Sequence, residues 1–594
     1  MALLLHQQNR VDEAIGLYNV ILSFRPEHAD ALHLLGVAQH QIGNSPEGVE
    51  LIRRAISRSP KQPEFHNNLG QALEAMGDAE GAQSAYRQAL RLDKNMTDAL
   101  SNLGAILLTL GKQKEAIRAL RKAVGLDPNH AMATMNLGNA IRTESLPREA
   151  IDLHRRASNL APLSEKVWVN LATSCMDLQH LEEASLALKR SLVLSPKLIE
   201  SWNNFGFLHI NYSDYKTAEK CFRVAISVEP DYGSPYAGLA EVEFLQDRVE
   251  QALSNSERAL DLFKGDPQVR NRRAIQLLAS GRIAEGWTMR EARLENRNAI
   301  EHRGRPPVWD GSSLAGQSIV ITAEEGIGDE ILFASCLPDV IAKANQCYIE
   351  CDARLVTLFQ RSFPKATVEH VRRSGDRFKP IQTYDWLPTQ PPVNCAVEAG
   401  SLFKHFRQNL DAYEGVGTYL IPDEARVSKW RDRLGSLGPG LKVGFSWRSK
   451  ELSQFRNIHY TTLEEWTGLL RRSGIHWISM QYGDGWEKEV ETAKRTHGVK
   501  IVVFDDADLS DDFETIFALG SALDLIICPS STVSWVGGAI GKPTWVLHVR
   551  PNFMRLGTDY FPGFPSMRSF PKNVADPWST CFQPISLALD KLLE

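Results

Sequence analysis

The chain has 594 residues, 43% of them apolar, and a formal net charge of −5. One hydrophobic core rarely organises so long a chain, so two to four domains are expected. No basic tract stands out, which argues against nucleic acid as a partner.

The sequence also lacks the patterns typical of membrane, secreted and zinc-binding proteins. No apolar run reaches the roughly 18 residues of a membrane span, and the opening residues MALLLHQQNR do not resemble a secretory signal. The eight cysteines are scattered without zinc-ligand spacing. We therefore expect a cytoplasmic protein with reduced thiols, no metal and no membrane span.

The N-terminal part of the chain repeats with a period of 34 residues. A leucine-glycine pair recurs, as at Leu69-Gly70 and Leu103-Gly104, and alanine recurs in two further columns. Proline recurs near the unit ends, where it terminates a helix because it lacks the N–H group. This period predicts helix pairs that stack into an array. The pattern resembles the tetratricopeptide repeat, which implies an α-helical superhelix of about eight units over residues 1–295.

One polar column keeps the same phase as the repeats. It holds an asparagine in five successive units: Asn68, Asn102, Asn136, Asn170 and Asn204. An amide offers both donors and an acceptor, as a peptide backbone does, so the column could bind an extended protein segment. The arm resembles that of the O-linked N-acetylglucosamine transferases, which implies that the column faces a groove holding an acceptor protein. The alternative is that these amides satisfy neighbouring helices or face water.

Beyond residue 295 the periodicity changes. Residues 296–317 are rich in Pro, Gly and Ser and are predicted to be a linker. Short apolar runs then predict strands at 318–323, 347–352, 442–447, 476–481, 500–505, 523–529 and 544–549. Continuous apolar strands favour parallel sheets. We predict two α/β halves, 318–430 and 431–594, with ligands beyond the carboxyl ends of the strands.

Two motifs follow predicted strands with turn-forming residues. In EEGIGDE (324–330), Gly326 and Gly328 permit a tight turn and close approach of a ligand, and Asp329 opens a helix. In CPSST (528–532), hydroxyl groups precede a helix N-terminus, which favours an anion. These hydroxyls are Ser530, Ser531 and Thr532. Ordinary turns and helix caps are the alternative explanation for both motifs.

Two further motifs supply cations and an aromatic ring. Arg448, Lys450 and Arg456 follow the strand at 442–447, and Gln481 and Tyr482 end the next strand. Cations there could hold a phosphate, and Tyr482 could stack on a nucleotide base. A solvated basic loop and a packed tyrosine are the alternatives.

Together, residues 305–570 resemble the heptosyltransferase-like GT-B glycosyltransferases, which have two Rossmann-like halves facing a cleft. The resemblance implies that Asp329 takes the proton of the acceptor hydroxyl, with Glu325 and Glu330 as neighbouring alternatives. It implies that the glycines, cations, Gln481, Tyr482 and the three hydroxyl residues bind a nucleotide-sugar donor without a metal or cofactor. The chain departs from these relatives at Ser530 and Trp535, where an Asp and a His are usual.

The order of parts resembles the bacterial flagellin glycosyltransferases. This implies transfer of a sugar to Ser or Thr of a captured protein, with flagellin as a candidate acceptor and a CMP-linked sialic-acid-like sugar as a candidate donor. Two alternatives stay open. The chain could be a non-catalytic scaffold with a degenerate glycosyltransferase domain, as Ser530 and Trp535 would suggest, or its acceptor could be a lipid-linked glycan.

Overall fold

A computed structural model of the protein describes residues 1–143, 147–295, 300–324, 326–376, 379–450 and 454–594. They form two compact units, Met1–Tyr212 and Ser213–Glu594. A search of the described helices finds none with the length and apolar character needed to cross a membrane.

The first unit is built from helix pairs, as the 34-residue period predicts. In most pairs a 13-residue helix is followed by a 14-residue helix. Its described helices are α1 (Ala2–Gln7), α2 (Val11–Phe24), α3 (Ala29–Gln41), α4 (Ser45–Arg58), α5 (Pro63–Ala75), α6 (Ala79–Leu92), α7 (Thr97–Thr109), α8 (Gln113–Leu126), α9 (Ala131–Thr143), α10 (Pro147–Leu160), α11 (Glu165–Asp177), α12 (Leu181–Leu194) and α13 (Ile199–Asn211).

The recurring glycine explains why the two helices of a pair approach closely. A Cβ atom on Gly104 in α7 would lie 2.3 Å from Leu120 Cγ in α8, and Gly70 and Gly138 face Tyr86 and His154 in the same way. Each glycine therefore leaves room for one large side chain from its partner helix, which is buried there.

The second unit begins with further repeat helices and continues into an α/β region. Its described helices are α14 (Tyr215–Val228), α15 (Gly233–Leu245), α16 (Val249–Leu262), α17 (Pro267–Ala279), α18 (Ile283–Met289), α19 (Ala292–Glu295), α20 (Ile327–Phe333), α21 (Leu337–Lys343), α22 (Val356–Ser362), α23 (Leu402–Phe406), α24 (Glu424–Gly435), α25 (Gln454–Asn457), α26 (Thr467–Leu470), α27 (Trp486–His497), α28 (Phe513–Ala522), α29 (Thr532–Ala539) and α30 (Ser579–Leu593).

The strands of the second unit form three sheets. The strands are β1 (Glu301–Arg303), β2 (Ser318–Thr322), β3 (Gln346–Cys351), β4 (Ala366–His370), β5 (Arg373–Asp376), β6 (Lys379–Thr383), β7 (Cys395–Glu398), β8 (Leu441–Phe445), β9 (Ile475–Ser479), β10 (Leu525–Pro529), β11 (Thr544–Val549) and β12 (Met567–Lys572). A parallel sheet of order β4-β3-β2-β7 forms the first lobe, and a parallel sheet of order β12-β11-β10-β8-β9 forms the second lobe. A small sheet of order β1-β6-β5 accompanies the first.

Six of the seven predicted strands form, and parallel sheets with helices are confirmed. The strand predicted at 500–505 is wrong, because only Val502 pairs there, as an isolated bridge with Ile478 of β9. The chain then turns at Asp505-Asp506 and leaves the sheet edge.

The division into units differs from the predicted boundary at residues 295–318. The last repeat helices are joined to the first lobe by buried contacts: Trp287 Nε1 donates to the Tyr413 hydroxyl at 3.1 Å, and Arg293 pairs with Glu324. The predicted linker is also partly structured, since β1 pairs in parallel with β6. Its residues 296–299 lie outside the described part of the chain.

Replacing Gly104 with alanine should destabilise the first unit. The new methyl group would overlap Leu120, and overpacking of a core typically costs about 1–3 kcal/mol. The measurement is the midpoint of urea unfolding, followed by helical circular dichroism.

Gly125→Ala is the matched control. Gly125 lies in α8 with nothing within 4 Å of the added Cβ, so alanine should leave stability unchanged or raise it by up to about 1 kcal/mol. Equal effects of the two substitutions would contradict the close helix approach at Gly104.

Candidate functional site

A cleft of about 520 Å³ lies between the first and second lobes of the second unit. The turn before α20, the segment after β8, Tyr482 and the N-terminus of α29 all line it. Of the site residues predicted from sequence, eight line the cleft: Gly326, Gly328, Asp329, Lys450, Arg456, Tyr482, Ser531 and Thr532. Motifs separated by about two hundred positions in the chain therefore meet at one site.

Gly328 lies at a close contact between the two lobes. A Cβ atom there would lie 2.9 Å from Thr532 Oγ1 and 3.6 Å from Thr532 Cα. The first turn of α20 therefore meets the first turn of α29 directly, and these helices pack against each other. Asp329, half-buried, is the next residue after this contact.

The other carboxylates of this motif have different surroundings. Glu324 is buried and forms an ion pair with Arg293, with N–O distances of 2.7 and 2.9 Å. Glu330 is also buried, and its Oε2 accepts a hydrogen bond from the backbone N–H of Asp352. Neither Glu330 nor its bonded partner lines the cleft. Glu325 lies outside the described residues. Among the described carboxylates of the motif, Asp329 alone lines the cleft.

The hydroxyl turn caps the start of α29. Ser531 is only 9% exposed, and its side chain and that of Ser534 form a capping box. Ser534 Oγ accepts from Ser531 N–H and donates to Ser531 C=O. The remaining free N–H groups of a helix N-terminus can bind an anion. Ser530 does not line the cleft, and its N–H donates to Leu547 C=O.

The cations divide into two groups. Lys450 and Arg456 line the cleft from the second lobe. Arg354, which the sequence analysis did not identify, lines it from the first lobe and pairs with Asp352 and Asp511. Its position directly after β3 was the available signal, because parallel strands bring their carboxyl ends to one edge.

Arg448 and Gln481 do not line the cleft, contrary to their predicted contact with the donor. Arg448 is 7% exposed and pairs with Glu489 at 2.7 Å. Gln481 is fully buried and bonds to the backbone of residues 447, 448 and 482. Both side chains turn into the second lobe, because these internal partners satisfy their polar groups.

An apolar wall completes the cleft. It includes Met480, Phe513, Ile516, Val533 and Trp535. Trp535 stands where the resembling enzymes usually have a His, and its ring packs 5.5 Å from that of Phe564. No group of three or more His, Cys, Asp or Glu side chains within the described ranges could hold a metal ion.

The asparagine column lies in the first unit, and its amides link successive repeats. Each half-buried asparagine donates to a side chain about 31–35 residues earlier. Asn102 Nδ2, for example, donates to Asn67 Oδ1 at 3.1 Å, and Asn204 Nδ2 donates to Thr173 Oγ1 at 3.2 Å.

The first of these links requires a neutral imidazole. Asn68 Nδ2 lies 2.9 Å from His33 Nε2. Burial lowers the pKa of His33 to about 4, so the ring is neutral at pH 7 and its Nε2 can accept.

These links leave part of each amide available. Among the described residues, no donor contacts the Oδ1 atoms of Asn102, Asn136 and Asn170. Asn170 uses both of its N–H groups, on Met135 Sδ and the Lys166 carbonyl, whereas Asn102 and Asn136 use one each. The column thus satisfies its neighbours, as one sequence hypothesis held, and leaves three carbonyl oxygens without a donor from the described residues.

The column changes in the second unit. Gly238 and Arg272 occupy the equivalent positions of α15 and α17, and a recess of about 260 Å³ there is lined by apolar side chains that include Ala237 and Phe244. Arg272 pairs with Glu241 at its edge. This recess of the second unit offers an apolar surface instead of amides.

Comparison with known families defines the class of the repeats. Models described as tetratricopeptide repeats match residues 1–63 and 63–96. A model described as the cilia and flagella-associated protein 70 C-terminal domain matches residues 95–304. The chain is a tetratricopeptide repeat protein.

A curated relative defines the family more closely. Protein FlbA of Caulobacter vibrioides (strain ATCC 19089 / CIP 103742 / CB 15) is 30% identical over 422 residues, which is 70% of this chain and 70% of FlbA. The chain belongs to the FlbA family.

Solved structures match mainly short stretches of the chain. The anaphase-promoting complex hetero-tetramer Cut9–Hcn1 matches with 14% identity over 45% of this chain and 52% of that one, at a TM-score of 0.40. The chain thus spans about half the length of that protein. YrrB, described as a TPR protein with an unusual peptide-binding site, matches with 20% identity over 32% of this chain and 96% of YrrB, at a TM-score of 0.26. TM-scores this low support no inference about function.

The stability of the α/β region should depend on pH through Glu330. Burial raises the pKa of Glu330 to about 8, whereas the unfolded chain has the ordinary glutamate value of about 4.3. The folded protein therefore favours the protonated Glu330 carboxyl. The contribution of Glu330 to the free energy of unfolding is fully present below about pH 4 and is lost as pH rises through about 8.

The Glu330→Gln variant keeps the shape of the side chain but has no carboxyl group to titrate. The thermal midpoint of this variant minus that of the wild type should increase from about pH 5 to about pH 8 and then level off. Glu350, whose pKa burial raises to about 7, is present in both proteins and serves as the internal control. A difference that does not vary with pH would contradict the assignment.

Proposed function

We propose that the chain is a protein O-glycosyltransferase of the GT-B type. Its two lobes would bind a nucleotide-sugar donor in the cleft, and its repeat groove would hold a protein acceptor. The observation that carries this proposal is the meeting of Asp329 from one lobe with Ser531, Thr532 and Lys450 from the other around a single cleft.

The cleft has the groups that such a transfer needs. The half-buried Asp329 carboxylate would take the proton of an acceptor Ser or Thr hydroxyl as that oxygen attacks the anomeric carbon. Lys450, Arg456 and the Ser531–Thr532 turn would stabilise the departing phosphate. Tyr482 would contact the nucleotide. The position of Ser531 and Thr532 at the α29 N-terminus supports this role, because free helix N–H groups there favour an anion.

Flagellin as acceptor, a CMP-linked sialic-acid-like donor and a cytoplasmic location remain predictions from resemblance. The FlbA relationship identifies a family and leaves catalysis to experiment. Trp535 favours the scaffold alternative. Its indole lines the cleft at the position where the heptosyltransferase-like enzymes usually have a His.

The first test is thermal unfolding of the full chain with UDP, GDP, CMP and ADP. A nucleotide that binds only the folded protein stabilises it by about 2.7 kcal/mol at a hundredfold excess over its dissociation constant. We expect one nucleotide to raise the midpoint and to do so equally in Asp329→Asn, which should lose sugar transfer by at least about a hundredfold. A midpoint unmoved by any of them would favour the scaffold, and full transfer by Asp329→Asn would exclude that residue as the base.

The groove is tested by removing amides from the column. The triple change Asn102→Ala, Asn136→Ala and Asn170→Ala should weaken flagellin binding by at least about tenfold, because each change removes a backbone-binding amide. The measurement is titration calorimetry with purified flagellin, after circular dichroism has confirmed helix content.

Asn95→Ala with Asn129→Ala is the control. These asparagines lie in exposed turns of the same array, outside the column, and their replacement should leave binding unchanged. Wild-type affinity in the triple variant would refute the groove assignment, and the donor site would be unaffected by that result.

A further inference from the structure

The side chain of Gln481 uses its whole hydrogen-bonding capacity inside the second lobe. Its Oε1 accepts from the N–H groups of Trp447 and Arg448 at 2.9 and 3.1 Å. Its Nε2 donates to the carbonyls of Arg448 and Tyr482 at 2.8 and 2.9 Å. One buried amide therefore ties the segment after β8 to the segment after β9, where both enter the cleft.

Arg448 and Glu489 make a second tie between the same segments. Arg448 Nε and Nη2 donate to Glu489 Oε1, at 3.1 and 2.7 Å, and Nη2 also donates to Asp484 C=O at 2.9 Å. Glu489, on α27, also accepts from Trp447 Nε1 at 2.5 Å. The carboxylate thus holds two consecutive residues of the segment that continues to Lys450.

A close backbone contact transmits this arrangement to the cleft. Gly483 has a φ of +89°, and a Cβ atom on it would lie 3.0 Å from Lys450 Cα and 3.1 Å from Lys450 Cβ. Ser449 Oγ lies 3.4 Å from the Tyr482 hydroxyl. Lys450, Ser449 and Tyr482 all line the cleft, so the two ties sit directly behind cleft-lining residues.

We propose that Gln481, Arg448 and Glu489 form a positioning clasp that sets Lys450 and Tyr482 for the phosphate and nucleotide of the donor. The clasp residues do not contact the donor themselves. This inference rests on the proposed function, and it gives Arg448 and Gln481 a role behind the site in place of direct binding.

Two explanations of the role of Glu489 predict opposite effects on nucleotide binding when its carboxylate is removed. A nucleotide phosphate is negative, so removing a nearby carboxylate should by Coulomb attraction alone strengthen nucleotide binding. If Glu489 instead positions Lys450 through Arg448 and Trp447, its removal should weaken binding. The sign of the change therefore separates the two explanations.

The experiment is calorimetric titration of the full chain with whichever of UDP, GDP, CMP or ADP stabilises the wild type. Glu489→Ala should raise the dissociation constant about tenfold, because small displacements of a binding group lose much of its interaction. Glu489 is 38% exposed on a helix, where alanine is readily accommodated, so the variant should fold. Glu489→Gln, which keeps an oxygen acceptor, should restore most of the affinity.

Two comparisons make the result specific. Glu491→Ala, an equal charge change at an exposed position of the same helix, should not weaken binding. In a Lys450→Ala background, Glu489→Ala should have a smaller effect, because the clasp can then act only through Tyr482.

The outcomes distinguish a failure of the clasp from a failure of the proposed function. Unchanged or tighter binding by Glu489→Ala, or an equal loss with and without Lys450, would overturn the clasp while the donor site stands. Failure of the wild type to bind any of the four nucleotides would overturn the proposed function and the clasp together.

Discussion

The candidate site is centred on one steric contact, that between Gly328 and Thr532. A Cβ atom at position 328 would lie 2.9 Å from Thr532 Oγ1, so glycine lets the first turn of α20 meet the first turn of α29 without a shift of that side chain. This contact joins the two lobes where Asp329 of the first and Ser531 of the second line the same cleft.

Ion pairs hold the lobes together beside this contact. Arg361 of α22 binds Glu514 of α28 through N–O distances of 2.7 and 2.8 Å, in a partly buried setting. Arg354 binds Asp511 nearby. Charge-assisted pairs of this kind are stronger than neutral hydrogen bonds, and partial burial reduces their screening by salt. The acidic segment 505–514 thus connects the second lobe to the first.

The side chains proposed to bind the acceptor also link neighbouring repeats. The asparagine amides donate to the preceding repeat, which orients them before any partner arrives. Preorientation lowers the entropy that binding must overcome. Close packing at Gly70, Gly104 and Gly138 joins the two helices within each pair.

The sequence by itself determined whatever depends on short-range pattern. The 34-residue period defined the helix pairs, because small residues and prolines recur in it at the helix contacts and near the helix ends. Apolar runs identified six strands, and turn glycines and hydroxyls identified the loops at their carboxyl ends. Asp329 and Ser531 were recognisable for that reason.

Only the tertiary structure decided the direction of individual side chains and the limits of the units. Arg448 and Arg456 follow the same strand, yet Arg448 turns inward to Glu489, a partner 41 residues away, while Arg456 lines the cleft. The chain divides at residue 212, and Trp287 and Arg293 join the last repeat helices to the first lobe. Each of these outcomes depends on a partner distant in sequence, and local pattern carries no record of such a partner.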